Sequence, residues 1–328
     1  MEKTVEIQAK PRKKRSQFAE VWRRFKKNPL AMVGLVIIFL MFVFAALAEV
    51  LAPGDGAWPG YNLQDWFNIR QFPSAEHIFG TDHLGRDIFA RIAHGARITL
   101  LVGFVVVGIA GITGIILGSI AGFYGGYADN IIMRIIDIIL AIPNVLLAIS
   151  IAAALGPGLN NVMIAVGVGS IPIYARQVRA QMLALKEQEF VEAAHSVGAN
   201  NFRIIRRHIL PNAMAPVIVD ATMGMAGAIL SAAALSFIGI GLQAPVPEWG
   251  AMLSDGRMFL LAGYWHMTLF PGLFIAFIIF ALNLMGDGLR DALDPKLRSG
   301  GFSKKRFKRI LRAKAESAAK AESAAKEG

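Results

Sequence analysis

Long apolar runs constrain this chain more than any other feature. Six stretches, 30–52, 97–122, 130–155, 161–180, 214–242 and 267–288, are each near or above the ~20 residues a helix needs to cross the hydrocarbon of a bilayer. Inside lipid every backbone N–H and C=O must be satisfied within the protein, so only helices or closed barrels span. No alternating strand pattern competes with helix along the runs. Charged residues make up 17% of the chain, against about a quarter in a soluble domain. The expected fold is therefore an all-α polytopic membrane protein with six transmembrane helices.

Basic residues set the expected orientation. The tail 1–28 holds ten Lys and Arg and the segment 289–328 holds twelve. Arg134, Arg176, Arg179, Lys186, Arg203, Arg206 and Arg207 fall on the same side, whereas the other side has only Arg70, Arg86, Arg91, Arg97 and Arg257. The positive-inside rule then puts both termini in the cytosol. The expected division is a basic cytosolic tail at 1–28, a first transmembrane helix at 29–52 and an external loop at 53–96. A core of five helices follows at 97–290, including a cytosolic loop at 184–213, and a basic tail closes the chain at 291–328. The net charge of +11 is accounted for by this topology and by contact with anionic membrane lipid, so no nucleic-acid partner is expected. The first run is too long, and too far from residue 1, for a secretory signal. Asn28-Pro29 instead suits the cap and first position of an anchored helix. With no cysteine in the chain, disulfides and thiolate metal sites are excluded.

A polar, basic island, EFVEAAHSVGANNFRIIRRHILP (189–211), lies between two of the apolar runs. Its spacing predicts two short helices with a glycine hinge. Glu189, Glu192 and Ser196 form one polar face, with Phe190, Ala194 and Val197 as an apolar face beside it. Ala193 and Ala194 are small enough for another surface to approach closely. Gly198 suits a left-handed stop, Asn200 and Asn201 suit caps, and Pro211 is expected to end the second helix. The order Glu192-Ala193-Ala194, three residues, Gly198, nine residues, His208-Ile209-Leu210-Pro211 resembles the EAA signature of ATP-binding-cassette importer permeases. His208 stands where that signature usually has Ile. The resemblance implies that Glu189, Glu192, Ala193, Ala194, Gly198, Ala199, Leu210 and Pro211 belong to a coupling helix and its flanks, docking into a cleft of an ATPase subunit.

Other blocks extend the resemblance over residues 20 to 300. Phe79-Gly80-Thr81-Asp82-His83-Leu84-Gly85-Arg86-Asp87 is similar to the FGTD-x-x-GRD block of dipeptide, oligopeptide and nickel permeases. Thr81, Asp82, Arg86 and Asp87 there are candidates for external docking or for a structural cap, with Thr81 or Asp82 capping a short helix. PEWGAMLSDGR (247–257) and ALNLMGDGLRDALDPKL (281–297) resemble the same subfamily. Gly114, Gly118, Gly122 and Gly126 recur every four residues, which lets helix backbones touch in lipid. Asp129, Arg134 and Asp137 lie near one membrane face, with Arg134 and Asp137 spaced to pair; Pro143 should kink the third span. Asp220 sits in a small-residue helix suited to a bundle interior. The repeated AKAESA at 313–318 and 319–324 is low-complexity and helix-prone.

No Gly-Lys pair exists, so there is no phosphate loop. GxSxG and HExxH are also missing, and no two of the six histidines are three or four apart. The chain is thus expected to be non-catalytic and to bind no cofactor or metal. The resemblance implies a type I, MetI-like permease fold in the cytoplasmic (inner) membrane. It further implies a second homologous permease subunit, two ATPase subunits carrying ATP and Mg, and an external solute-binding protein. Dipeptides or oligopeptides are the expected cargo, with a nickel chelate or another small solute as alternatives. A stand-alone secondary transporter would need an intramembrane ion site, for which the few buried charges give little material.

Overall fold

The computed structural model describes residues 17–294; most of the basic N-terminal tail, the C-terminal basic tail and the AKAESA repeats lie outside them. The described residues are mostly helical, and their longest irregular stretch is a layer at 53–87. An amphipathic helix α1 (Gln17–Phe25) precedes α2 (Pro29–Ala46). Lys26 sits 4.9 Å over the Trp22 ring, a cationic and aromatic pairing suited to a membrane surface. Asn28 caps α2, its side chain accepting from the Ala31 N–H at 3.2 Å, with Pro29 in the first turn as its spacing predicts. A single turn, α3 (Ala48–Leu51), leads into the irregular layer at 53–87.

The layer feeds α4 (Ile88–Tyr124), α5 (Gly126–Ala141), α6 (Asn144–Leu155) and α7 (Leu159–Lys186). Next come α8 (Glu189–Ser196), α9 (Asn201–Ile204) and α10 (Leu210–Phe237); α11 (Trp249–Arg257) and α12 (His266–Leu293) complete the bundle. Four helical segments are long and apolar enough to cross a membrane: Pro29–Ala46, Ile88–Tyr124, Asn201–Phe237 and His266–Leu293. The expected third span is a pair, α5 and α6, bent by 92° at Ile142-Pro143, because proline cannot donate the hydrogen bond that would carry α5 onward. The expected fourth span, 161–180, lies in α7. That helix is more polar than the four long spans, with Asn160, Asn161, Gln177, Arg176 and Arg179 along it. Length and composition alone therefore give four spans, or five with the bent pair.

The pairings give the bundle its directions. Gly114, Gly118 and Gly122 of α4 meet Tyr174, Val178 and Met182 of α7 in ascending order, so these two helices run parallel. Gly34 of α2 meets Ala281 and Met285, and Gly288 of α12 meets Ala31, so that pair is antiparallel. Asn28 donates to Asp291 at 3.5 Å. Both ends of the described chain thus lie together.

Several expectations change. The second span begins at Ile88, not 97, because Asp87 caps α4 through the Ala90 N–H at 2.9 Å. Neither Thr81 nor Asp82 is that cap, and the helix it opens is the longest in the bundle rather than a short one. Pro211 does not end a helix. Residues 205–209 form a π turn in which the Leu210 N–H reaches the Ile205 carbonyl. This extra residue per turn absorbs the N–H that Pro211 lacks. The rod therefore continues from Asn201 to Phe237.

Candidate functional site

At one end of the bundle α8 lies across the foot of α7 and α10. Val191 and Ala194 bury themselves with Met182, Ile204, Ile209 and Val217. The buried face is therefore Val191/Ala194, an i, i+3 pair, and not the expected Phe190/Ala194/Val197. Phe190 and Val197 point outward, with 39% and 84% of their surface exposed. Glu189, Glu192, Ala193 and Gly198 are exposed with them. Gly198 stops α8 at φ +77° with nothing near the place a Cβ would take, as its position predicts. Asn200 then caps α9 by accepting from the Arg203 N–H at 2.8 Å. Ala199 and Leu210 are half-buried against this cluster. An unpartnered strip of acidic, small and apolar side chains thus stands on a short, firmly seated helix.

The glycine stripe continues that end into the membrane. A Cβ on Gly118 would lie 2.5 Å from the Ala175 carbonyl oxygen, and one on Gly122 would lie 2.6 Å from Met182 Cβ. Gly114 is closed off by Tyr174. Gly126 does not belong to the stripe. It opens α5 at φ +54° with nothing within 4 Å, forming with Gly125 the turn between α4 and α5. Charges along this turn pair between helices rather than along one. Arg179 grips Asp129 with two hydrogen bonds of 2.5 and 2.6 Å, and Arg176 takes Asp137 at 2.6 Å. The expected Arg134–Asp137 pair is not formed. Instead α7 brings Arg176 directly to Asp137.

At the opposite end the irregular layer is pinned to the helix tops. Thr81, Asp82 and Arg86 are at most 6% exposed. Asp82 accepts from the Leu84 and Arg86 N–H groups and from Arg86 Nε at 2.6 Å. Arg91 and Asp255 complete the charge cluster at 3.7 and 3.8 Å. The Thr81 hydroxyl donates to the Asn68 carbonyl and accepts from the Gln71 N–H. Asp87 takes His77 Nδ1 at 2.8 Å with the oxygen not used in capping. Three of the four candidate docking residues are thus buried, and Asp87 is committed to its cap. They lock the layer in place. Glu248 is a second buried anchor, capping α11 through the Gly250 and Ala251 N–H groups at 2.9 and 2.8 Å. Burial pushes its carboxyl above the usual carboxylate range, against those two hydrogen bonds.

Between the two ends lies a cavity of about 280 Å³, walled by Val106, Asn144, Ser170, Tyr174, Asp220 and Ser231 among others. A second cavity, of about 420 Å³, opens beneath it at the α8 end and shares Asp220 and Met223. Among the described residues no group of three or more His, Cys, Asp or Glu is placed to hold a metal ion.

Residues 114–299, which carry the α8 strip, the glycine stripe, the lower cavity and most of the upper one, match the family described as "Binding-protein-dependent transport system inner membrane component". The chain belongs to that family. Residues 16–73 match the "N-terminal TM domain of oligopeptide transport permease C", which places this family member in the oligopeptide and dipeptide permease branch. It is 51% identical over 284 residues to the dipeptide transport system permease protein DppC of Alkalihalophilus pseudofirmus, covering 87% of this chain and 91% of that one. It is 46% identical over 289 residues to the glutathione transport system permease protein GsiD of Escherichia coli, covering 88% and 94%. In fold it resembles the MetNI methionine ABC transporter in an inward-facing form, with TM-score 0.50 and 20% identity over 61% of this chain and 94% of that one. The all-α, MetI-like permease architecture expected from the sequence is thereby established. So is membership of the permease components of ABC importers, which work with ATPase partners and sit in the inner membrane.

Proposed function

We propose that this permease subunit imports dipeptides or oligopeptides, driven by ATP hydrolysed in two partner ATPase subunits that carry ATP and Mg. A second homologous permease subunit completes the path, and an external solute-binding protein delivers cargo. The dipeptide and glutathione permease relatives support small peptides as the cargo class. Both termini and α8 then face the cytosol. The charge asymmetry between the two ends supports this, as does the Asn28–Asp291 contact that joins the two ends of the described residues.

The observation that carries the coupling role is the exposed strip of α8 on a buried Val191/Ala194 seat. Glu192 is the polar anchor in the ATPase cleft, and Ala193 and Gly198 allow close approach. Closure of the ATPase pair on ATP moves α8, and the bundle follows as a rigid body, giving alternating access. Affinity purification of the chain from its native membrane, with mass spectrometry of what accompanies it, tests the assembly. Recovery of a second permease and two ATPases is expected; the chain purified alone and still transporting in liposomes refutes it. Glu192→Lys is expected to abolish ATP-driven uptake, and unchanged uptake and assembly would refute the coupling role.

A further inference from the structure

Asp220 is the only acidic or basic side chain lining the 280 Å³ cavity. It stands on α10 ten residues beyond Leu210, about 15 Å along the helix axis. Its carboxylate accepts no hydrogen bond from any described residue; the Tyr174 hydroxyl donates instead to the Asp220 backbone carbonyl at 3.3 Å. A half-buried intramembrane carboxylate facing a cavity is costly to keep unless it meets a cation in use. Arg290 is the cation whose charge acts on Asp220, and it lines only the lower, 420 Å³ cavity, so the upper one holds the carboxylate with no cation of its own.

Resting on the peptide reading above, we propose that Asp220 receives the protonated amino terminus of the cargo as it crosses. The surroundings fit an ammonium group. Asn144, Ser170, Ser231 and the Tyr174 hydroxyl offer neutral oxygens. Val106 and Ile173 keep the wall otherwise apolar, which strengthens a charge-assisted hydrogen bond. The two cavities meet at Asp220 and Met223. A short peptide seats its ammonium group in the upper space and extends its remaining length into the lower one. Asp220 is thus a specificity-determining residue for cargo with a free amine.

The test uses the complete transporter in proteoliposomes with its binding protein, reading uptake of labelled alanyl-alanine and binding-protein-stimulated ATP hydrolysis together. Asp220→Asn is expected to lower uptake about tenfold or more, the scale of a lost hydrogen bond to a charged group, with hydrolysis within about twofold of wild type. Asp220→Glu keeps the charge and is expected to recover most of the uptake. Uptake by Asp220→Asn equal to wild type overturns the assignment. So does a parallel fall of uptake and hydrolysis in both variants, the mark of a packing role. A wild-type complex that accumulates no peptide refutes the peptide reading and this assignment with it, whereas normal wild-type uptake with an indifferent Asp220→Asn refutes this assignment alone.

Discussion

Gly118→Ala isolates the contact that holds the bundle together. The α4–α7 interface is the most extensive helix pairing in the chain. At Gly118 an added Cβ lies 2.5 Å from the Ala175 carbonyl oxygen and 2.9 Å from Val178 Cβ, where ordinary contact begins at 3.4 Å. The obstructing atoms are backbone and a β-carbon, not the far end of a flexible chain, so the helices must part by several tenths of an ångström. A gap of 0.5–1 Å forfeits roughly a quarter to a half of each dispersion contact along the seam, and overpacking of this kind costs about 1–3 kcal/mol. Alanine returns up to about 1 kcal/mol in helix propensity. The net expectation is a loss of about 1–2 kcal/mol, or roughly 2–8 °C in Tm at the sensitivity of a 150–250-residue protein. Gly108→Ala is the control on the same helix, since nothing lies within 4 Å of its added Cβ; it gains the propensity without the clash. Thermal unfolding of both variants in one detergent decides the matter. A Gly118→Ala protein as stable as Gly108→Ala would refute the close-packing argument.

Gly198→Val places a β-branched residue at φ +77°, a strain of about 1–2 kcal/mol. It is expected to tilt α8 and reduce ATP-driven uptake while Gly198→Asn is tolerated; equal uptake in both would count against the hinge. Asp129→Asn is expected to lose about 1–3 kcal/mol from the two-pronged bond to Arg179. A double-mutant cycle with Arg179→Gln should show coupling near 1 kcal/mol, and additivity would contradict it. For Glu248, folding favours the protonated form because its carboxyl is raised by burial. Its contribution is therefore fully present below the unfolded value of 4.5 and lost as pH rises through the folded value. Glu248→Gln should match wild type near pH 4 and unfold at a higher temperature near pH 8, and the reverse order would refute the sign.

Local features were legible in the sequence where one residue type forces one outcome. Pro143 had to break the third span, and Gly198 had to stop α8. Asn28-Pro29 and Asn200 had to cap, because their side chains reach the first free N–H groups. Legibility failed where partner helices decide. Arg134 and Asp137 are correctly spaced to pair, but α7 delivers Arg176, a residue no local spacing could nominate. Gly126 keeps the period of the stripe, yet the chain turns at Gly125, so period alone misplaces it. Thr81 and Asp82 read equally well as caps or as a docking site until burial showed them locked beneath the layer. On α8 the period allowed two apolar faces. Val191 was the missed signal, since an i, i+3 pair with Ala194 is as good a buried stripe as the one chosen.

The misread proline bears most on mechanism. A helix ended at Pro211 would leave a joint between the coupling segment and the membrane. The π turn at 205–209 instead lets the Leu210 N–H bond to Ile205, and the Asn212 side chain donates to the His208 carbonyl at 2.7 Å. The helix thus passes the proline without a break, and the rod is continuous from Asn201. Only Gly198 and its neighbours lie between α8 and that rod. On the proposed coupling, a push on α8 reaches Asp220 through the intact helix and through the shared burial of Val191, Ala194, Ile204 and Val217. The same helix that takes the ATPase movement at its foot therefore carries, about 15 Å higher, the carboxylate assigned to the cargo. Movement of α10 alone suffices to shift that carboxylate relative to Tyr174 on α7.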